Sequence, residues 1–166
     1  PALLAVSIHY VEWRLYMAAP IRIGLIGAGK NTRERHIPGF QAIEGVDVVG
    51  VCNRSLESSQ LVAGQFSIPK IYSNWRDVVE DEDIDAICIG TWPYLHCPIT
   101  IAGLENDKHV MTEARMSMNA NEAHAMLDAA KEKPTLVTQI VPSPFTLAID
   151  NTVKSLVSDG YLGDIL

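Results

Sequence analysis

Short apolar runs alternate with amphipathic stretches along most of the chain. The apolar runs predict β-strands at 21–26, 46–51, 71–72, 85–89, 108–111 and 136–140. The stretches between and after them predict helices at 32–43, 56–66, 75–79, 95–105, 120–131 and 145–158. Regular alternation is typical of a parallel sheet with right-handed crossovers, and strands that are apolar throughout indicate helices on both faces. We therefore expect an α/β fold of the Rossmann type, with three layers and a doubly wound sheet of parallel strands in the order 3-2-1-4-5-6.

Local signals mark several helix ends. Ser55, Asn74 and Asn119 each precede a predicted helix, and each side chain can accept a hydrogen bond from a free N–H of the first turn. Pro38 must interrupt or kink the first helix, because proline lacks an N–H and its ring clashes with the preceding turn. The helix at 120–131 is expected to bury one face, made of Ala123, Met126, Leu127 and Ala130.

Composition and charge narrow the class of protein. The chain has 166 residues, of which 48% are hydrophobic and 20% charged, as in an ordinary globular domain with a sizeable core. Its net charge of −7 argues against nucleic acid or an anionic membrane as partner. Cys52, Cys88 and Cys97 contain no CxxC pair, and the first two lie in apolar runs, so we expect packed thiols in a reducing cytoplasm and no metal site.

The first 16 residues differ from the rest. They are apolar but interrupted by His9, Glu12 and Arg14, so they contain no run long enough to span a membrane. No basic leader precedes them, which argues against a signal peptide, and Met17 resembles a natural start. We expect residues 1–16 to be an extension outside the fold, although an amphipathic arm that packs on the domain is the alternative.

A glycine motif directly follows the first predicted strand. It consists of Gly27-Ala28-Gly29-Lys30-Asn31-Thr32 and leads into a helix. In a dinucleotide site the first glycine makes the tight turn and the second lets the backbone approach the pyrophosphate, which then meets the positive end of the helix dipole. Thr32 stands where glycine or alanine is usual. We expect Gly27, Gly29 and Asn31 to contact the pyrophosphate of such a cofactor, and Lys30 and Thr32 to belong to the same cofactor-binding site.

The residues after the second strand bear on the choice of cofactor. An acidic side chain here would bind the adenosine ribose of NAD, but this chain has Cys52-Asn53-Arg54. Asn53 can bond a ribose without repelling a 2′-phosphate, and Arg54 can pair with that phosphate or stack on adenine. Arg54 as a solvated surface residue remains the alternative. The pattern favours NADP over NAD.

The chain as a whole resembles the N-terminal NAD(P)-binding domain of the glucose–fructose oxidoreductase/inositol dehydrogenase (Gfo/Idh/MocA) family. Four segments carry the resemblance: IRIGLIGAGKNTRERHIPGF, VVGVCNRS, DAICIGTWPYLHCPITIAGLENDKHVMTEA and DGYLGDIL. Together they cover about residues 21–166 in the family's order. The resemblance implies a dinucleotide-binding domain over 17–158 and, in 159–166, the start of the passage to a second, substrate-binding domain.

The resemblance also implies roles at the nicotinamide end of the cofactor. The segment from Thr91 to His96 matches the family's loop after the fourth strand, so the implied contacts are Thr91, Trp92, Pro93, Leu95 and His96. The family's Glu-Lys-Pro motif appears as Glu113-Ala114-Arg115. Glu113 is kept, but Ala114 replaces the lysine, so the usual cation is missing. Arg115 either supplies a charge from one residue away or is an exposed arginine in a salt bridge.

Two classes of function follow from these observations. The first is an NAD(P)-dependent dehydrogenase that moves hydride to or from a hydroxyl-bearing carbon, as of a sugar or polyol. For this class the resemblance implies homo-oligomers at full length and main acid–base groups in the second domain. The second is a cofactor-binding sensor or regulatory module without redox activity, or a truncated gene product. Ala114 favours the sensor or regulatory module, because the usual cation is absent.

Overall fold

The strands and helices alternate along the chain, and the strands form a parallel sheet. The structure, a computed structural model, describes residues 19–142, 149–161 and 163. The strands are β1 (Ile21–Ile26), β2 (Val46–Cys52), β3 (Lys70–Tyr72), β4 (Ala86–Ile89), β5 (His109–Thr112) and β6 (Thr138–Ile140). Their order is β3-β2-β1-β4-β5-β6, and every neighbouring pair is parallel. The predicted fold class and strand order are therefore confirmed.

Helices cover both faces of this sheet. The first helical stretch, 30–41, is π-helical over Thr32–His36 and continues as α1 (Ile37–Gln41). The other helices are α2 (Leu56–Phe66), α3 (Trp75–Glu80), α4 (His96–Glu105), α5 (Ala120–Glu132) and α6 (Asp150–Ser158), and a 3₁₀ turn over Pro93–Leu95 precedes α4. Because strand side chains alternate between faces, Leu25 and Val51 pack with α1 and α2, whereas Ile26 and Ile87 pack with α3 and α4.

The predicted caps are confirmed. The side chains of Ser55, Asn74 and Asn119 accept hydrogen bonds from the N–H groups of Ser58, Arg76 and Glu122, at 3.3, 3.1 and 3.0 Å. Each bond satisfies one of the free first-turn donors that an α-helix leaves at its start.

Some predicted boundaries were wrong. The first helix ends at Gln41, and the break at Pro38 takes the form of a π turn directly before α1. The fourth strand starts at Ala86 and not at Asp85, whose carboxylate accepts bonds from the backbone and guanidinium of Arg22. Leu127 is 49% exposed, since α5 buries only Met126 fully. Residues 1–16 and the predicted helix start at 145 lie outside the described residues.

None of the helices in the described part of the chain combines the length and the apolarity that crossing a membrane requires.

Candidate functional site at the carboxyl edge of the sheet

Two glycines bring the loops after β1 and β4 into contact. Gly27 has φ +89°, and a Cβ on it would lie 2.7 Å from the carbonyl carbon of Gly90. A Cβ on Gly90 would in turn collide with the Gly27 carbonyl oxygen and the Thr32 hydroxyl. Hydrogen bonds of 2.8 Å hold both loops, from the Gly27 N–H to the Cys52 carbonyl and from the Gly90 N–H to the Ile26 carbonyl. The sequence analysis did not predict this role of Gly90. Its only signal in the sequence is a glycine at the end of a predicted strand.

The second glycine of the motif has a different environment. A Cβ on Gly29 would meet no atom within 4 Å, so the space beside it is open. Lys30, the first residue of the helical stretch, extends its ammonium into solvent, 4.0 Å from Glu34. Thr32 is buried, and its hydroxyl donates a 3.1 Å hydrogen bond to the Gly27 carbonyl. Thr32 thus takes the place of the small third residue by bonding the turn rather than only packing against it.

Asn53 fastens the glycine loop to the start of α2. Its side-chain oxygen accepts a 2.6 Å bond from the Ala28 N–H, and its amide nitrogen donates to the carbonyl and hydroxyl of Ser58 at 3.2 and 3.0 Å. Its own N–H donates to the Ser59 hydroxyl at 2.8 Å. Both amide hydrogens of the predicted ribose ligand are therefore engaged within the protein. Arg54 beside it is exposed and forms no ion pair with any described residue.

Three polar side chains meet between the helical stretch and the loop after β5. Glu113 Oε1 accepts a hydrogen bond from the Asn31 amide and lies 2.5 Å from His36 Nε2. The side chains of His36 and Glu113 are only 13% and 18% exposed. The sequence predicted Asn31 at the pyrophosphate and Glu113 at the nicotinamide end of a cofactor. It did not predict a role for His36. We refer to Asn31, His36 and Glu113 as the carboxylate cluster.

The π turn explains how the carboxylate cluster assembles. In an α-helix, residues five apart point about 140° away from each other around the axis. In a π turn the hydrogen bond spans five residues, as it does here from the Ile37 N–H to the Thr32 carbonyl. Residues five apart then lie on nearly the same side, which brings both Asn31 and His36 to one oxygen of Glu113.

His96 joins the loops after β4 and β5. Its ring nitrogens lie 2.8 Å from the Arg115 carbonyl and 2.9 Å from the Thr91 carbonyl, and the residue is 1% exposed. Pro93 and Leu95 form the intervening 3₁₀ turn and are half-buried. His96 therefore positions both loops, and its ring is closed off from solvent.

Several other residues of these two loops face water. Trp92 and Tyr94 are 72% and 58% exposed. Ala114 and Arg115 are also exposed, and Arg115 forms no salt bridge with the part of the chain that the structure describes. Of the alternative that made Arg115 an exposed arginine in a salt bridge, the exposure is found and the salt bridge is not found among those residues. Beneath the loops, burial and then the charge of Glu113 raise the pKa of the Cys88 thiol to about 12, so this cysteine stays protonated and packs in the core.

The candidate residues lie along one edge of the sheet. Each follows the carboxyl end of β1, β2, β4 or β5, and β1 and β4 are the strands between which the chain order reverses. In open α/β sheets a crevice forms at this point, and ligands bind there.

Comparison with known proteins agrees with this geometry. The profile of the GFO_IDH_MocA group, described as an oxidoreductase family with an NAD-binding Rossmann fold, matches residues 21–140. An uncharacterised oxidoreductase of Rhizobium meliloti is 29% identical over 145 residues, which are 87% of this chain and 43% of that protein. The trans-1,2-dihydrobenzene-1,2-diol dehydrogenase of Xenopus tropicalis is 26% identical over 144 residues, covering 86% of this chain and 43% of its own.

A solved structure has the same fold over most of the chain. The myo-inositol 2-dehydrogenase of Lactobacillus plantarum superposes with a TM-score of 0.72 and 26% identity, covering 89% of this chain and 43% of the other. The chain thus spans less than half the length of these relatives. Its glycine motif, strand order and sequence together place it in the Gfo/Idh/MocA oxidoreductase family, as the NAD-binding Rossmann domain.

Proposed function

We propose that this chain binds NADP(H) in an extended form across the carboxyl edge of the sheet. The observation that carries the proposal is the contact between Gly27 and Gly90, beside the open space at Gly29. The contact holds the turn at the start of the helical stretch, whose free N–H groups and dipole favour a pyrophosphate. The open space at Gly29 gives that anion room to approach the backbone.

The 2′-phosphate form of the cofactor is favoured by the residues after β2. The residue directly after β2 is Asn53, engaged by Ala28 and Ser58, rather than an acidic residue that would repel a phosphate at that position. Arg54 is exposed next to the cap residue Ser55 at the start of α2. A guanidinium beside a helix N-terminus suits a phosphate dianion, since both offer donors and positive charge.

For the whole protein, we propose hydride transfer to or from a hydroxyl-bearing carbon of a sugar or polyol. The names of the relatives support this class, because they include a diol dehydrogenase and an inositol dehydrogenase. In such reactions the nicotinamide accepts or donates the hydride, and the protein binds the cofactor, orients it and excludes water. The residues of this chain supply the cofactor side of that site.

Ala114 supports a second candidate, a protein that binds the cofactor without turning over a substrate. An alanine cannot stabilise negative charge on a reacting oxygen or pass a proton to it. Steady-state kinetics on the longer protein, with sugars and polyols, separate the two candidates.

Calorimetric titration of the chain with NADPH and NADH tests the binding proposal. We expect NADPH to bind about tenfold tighter, as one charge-assisted hydrogen bond to the 2′-phosphate would give. Arg54→Gln should remove most of that difference, whereas Lys131→Gln, an equal loss of charge on α5, should not. Equal affinities in the native chain would contradict the NADP preference, and absence of binding to either would contradict the function.

A further inference from the structure

The two oxygens of Glu113 have different environments. Oε1 is held by the Asn31 amide and by His36 Nε2. Oε2 forms no hydrogen bond within 19–142 or 149–161, and the side chain keeps 18% of its surface exposed. The carboxylate cluster thus fixes the orientation of Glu113 and leaves one oxygen available to a group in the crevice.

The topology of the sheet places this oxygen at one end of the proposed cofactor. The adenosine half of a dinucleotide lies toward β2, so the nicotinamide half lies across the reversal point, over β4 and β5. Glu113 follows β5 directly, and its bond to Asn31 places it beside the helical stretch that faces the pyrophosphate. The negative charge of Glu113 is therefore near the nicotinamide and remote from the adenine.

The charge of the nicotinamide ring differs between the two forms of the cofactor. The oxidised ring is a cation, and the reduced ring is neutral. A carboxylate nearby attracts the first by Coulomb interaction and leaves the second almost unaffected. A lysine at position 114 would oppose this attraction, but Ala114 carries no charge.

We propose that Glu113 makes this site discriminate between the oxidation states of the cofactor and favour the oxidised form, with Asn31 and His36 as its positioning residues. The inference rests on the proposed binding of a nicotinamide dinucleotide. The quantity compared is the ratio of the affinity for NADP⁺ to the affinity for NADPH. Lys30, Arg54 and other charges that face the shared phosphates and adenosine affect both forms alike, so their effects cancel in this ratio. The ratio isolates what lies beside the nicotinamide ring.

The test is a calorimetric titration of the chain with NADP⁺ and NADPH in the same buffer at one fixed pH. One kcal/mol of attraction, the value for unit charges about 4 Å apart in water, corresponds to about fivefold tighter binding of NADP⁺. Glu113→Gln keeps the shape of the side chain and should bring the ratio close to one, mainly by weakening NADP⁺. Glu105→Gln, an equal change of charge on the exposed end of α4, should leave the ratio unchanged.

Two further variants separate charge from folding. If thermal melting shows that Glu113→Gln is unfolded, Ala114→Lys provides the same test at an exposed position, because the added cation should lower the ratio. His36→Leu should lower the ratio partly, by releasing Glu113 to water, and His36→Gln should restore it by replacing the N–H donor. A merely structural role for His36 would weaken both forms equally.

Several outcomes would overturn the inference. These are a native ratio near one, a ratio that Glu113→Gln or its substitute Ala114→Lys does not move, and a Glu105→Gln effect as large as that at Glu113. Failure of both NADP⁺ and NADPH to bind, and of the NAD pair as well, would instead remove the proposed function on which the inference rests.

Discussion

The side-chain oxygen of Asn53 accepts a 2.6 Å hydrogen bond from the N–H of Ala28. The residue that follows β2 thereby holds the loop that follows β1, in the middle of the proposed pyrophosphate site. Ala28 is 5% exposed, so water has little access to its N–H if the partner is removed. This single bond links the stability of the fold to the shape of the site.

Asn53→Ala should therefore lower both stability and cofactor affinity. A buried donor without a partner costs about 1–3 kcal/mol, and the loop loses its tie to Ser58 as well. Urea unfolding and NADPH titration measure the two effects. Asn106→Ala is the control, because among the described residues that exposed side chain bonds only the Ala102 carbonyl, at 2.8 Å. An Asn53→Ala variant as stable as the control would contradict the role assigned to this bond.

The three glycines of the site should respond differently to alanine. Gly90→Ala and Gly27→Ala force a Cβ against backbone atoms, so both should lower the free energy of unfolding by several kcal/mol, on the order seen for overpacking and strained backbone. Gly29→Ala meets no protein atom and should leave thermal stability nearly unchanged. It should nevertheless weaken cofactor binding, because the methyl group occupies the open space.

Thermal melting and cofactor titration on all three variants check this separation. A strongly destabilised Gly29→Ala, or a Gly29→Ala that binds cofactor as the native chain does, would contradict the assignment of that space to a ligand.

The sequence predicted those parts of the structure that depend on residues close to one another along the chain. Ser55, Asn74 and Asn119 cap their helices through bonds that span two or three residues, which a linear pattern contains. The carboxylate cluster joins Asn31 to Glu113 across 82 residues. Its assembly also needs a π turn, for which the hydrophobic pattern gives no signal. Gly90 was missed for the same reason, since its need for glycine comes from the loop of another strand.

Acid should weaken a second network, which joins β3 to the segment between α3 and β4. The Lys70 ammonium lies 2.8 Å from the Asp81 carboxylate, and the Tyr72 hydroxyl donates to the same oxygen. These two bonds, Lys70 first, lower the pKa of Asp81 from 3.8 to about 2. Because the folded pKa lies below the unfolded one, the stabilisation is complete above about pH 4 and is lost as the pH falls through about 2.

Asp81→Asn should thus destabilise the chain by about 1–2 kcal/mol at neutral pH and have little effect near the folded pKa. Urea unfolding as a function of pH measures the difference. Asp128→Asn removes a carboxylate that is 70% exposed and pairs with Lys131 at 3.3 Å, so its effect should be small at every pH. A constant difference between native chain and Asp81→Asn over this pH range would contradict the ionic origin of the stabilisation.

The last prediction concerns His96, whose ring lies between the carbonyls of Thr91 and Arg115. His96→Phe fills a similar volume but removes the ring N–H, so a carbonyl that accepts from it is left without a donor in a nearly dry place. The cost should be on the order of 2 kcal/mol of stability. His96→Gln should recover part of it, because one side-chain amide has two N–H donors and reaches one or both carbonyls.

These two variants also test whether His96 acts on the site through the loops that it joins. The loop after β4 and the loop after β5 both lie on the proposed nicotinamide side, so their separation should weaken binding of the whole cofactor. It should not weaken binding of adenosine 2′,5′-bisphosphate, which reaches only the β2 side of the crevice. We therefore expect His96→Phe to lose affinity for NADPH several-fold and to keep its affinity for the bisphosphate. If His96→Phe weakened both ligands alike, the residue would support the fold as a whole, and the two loops would have no separate role in holding the nicotinamide half.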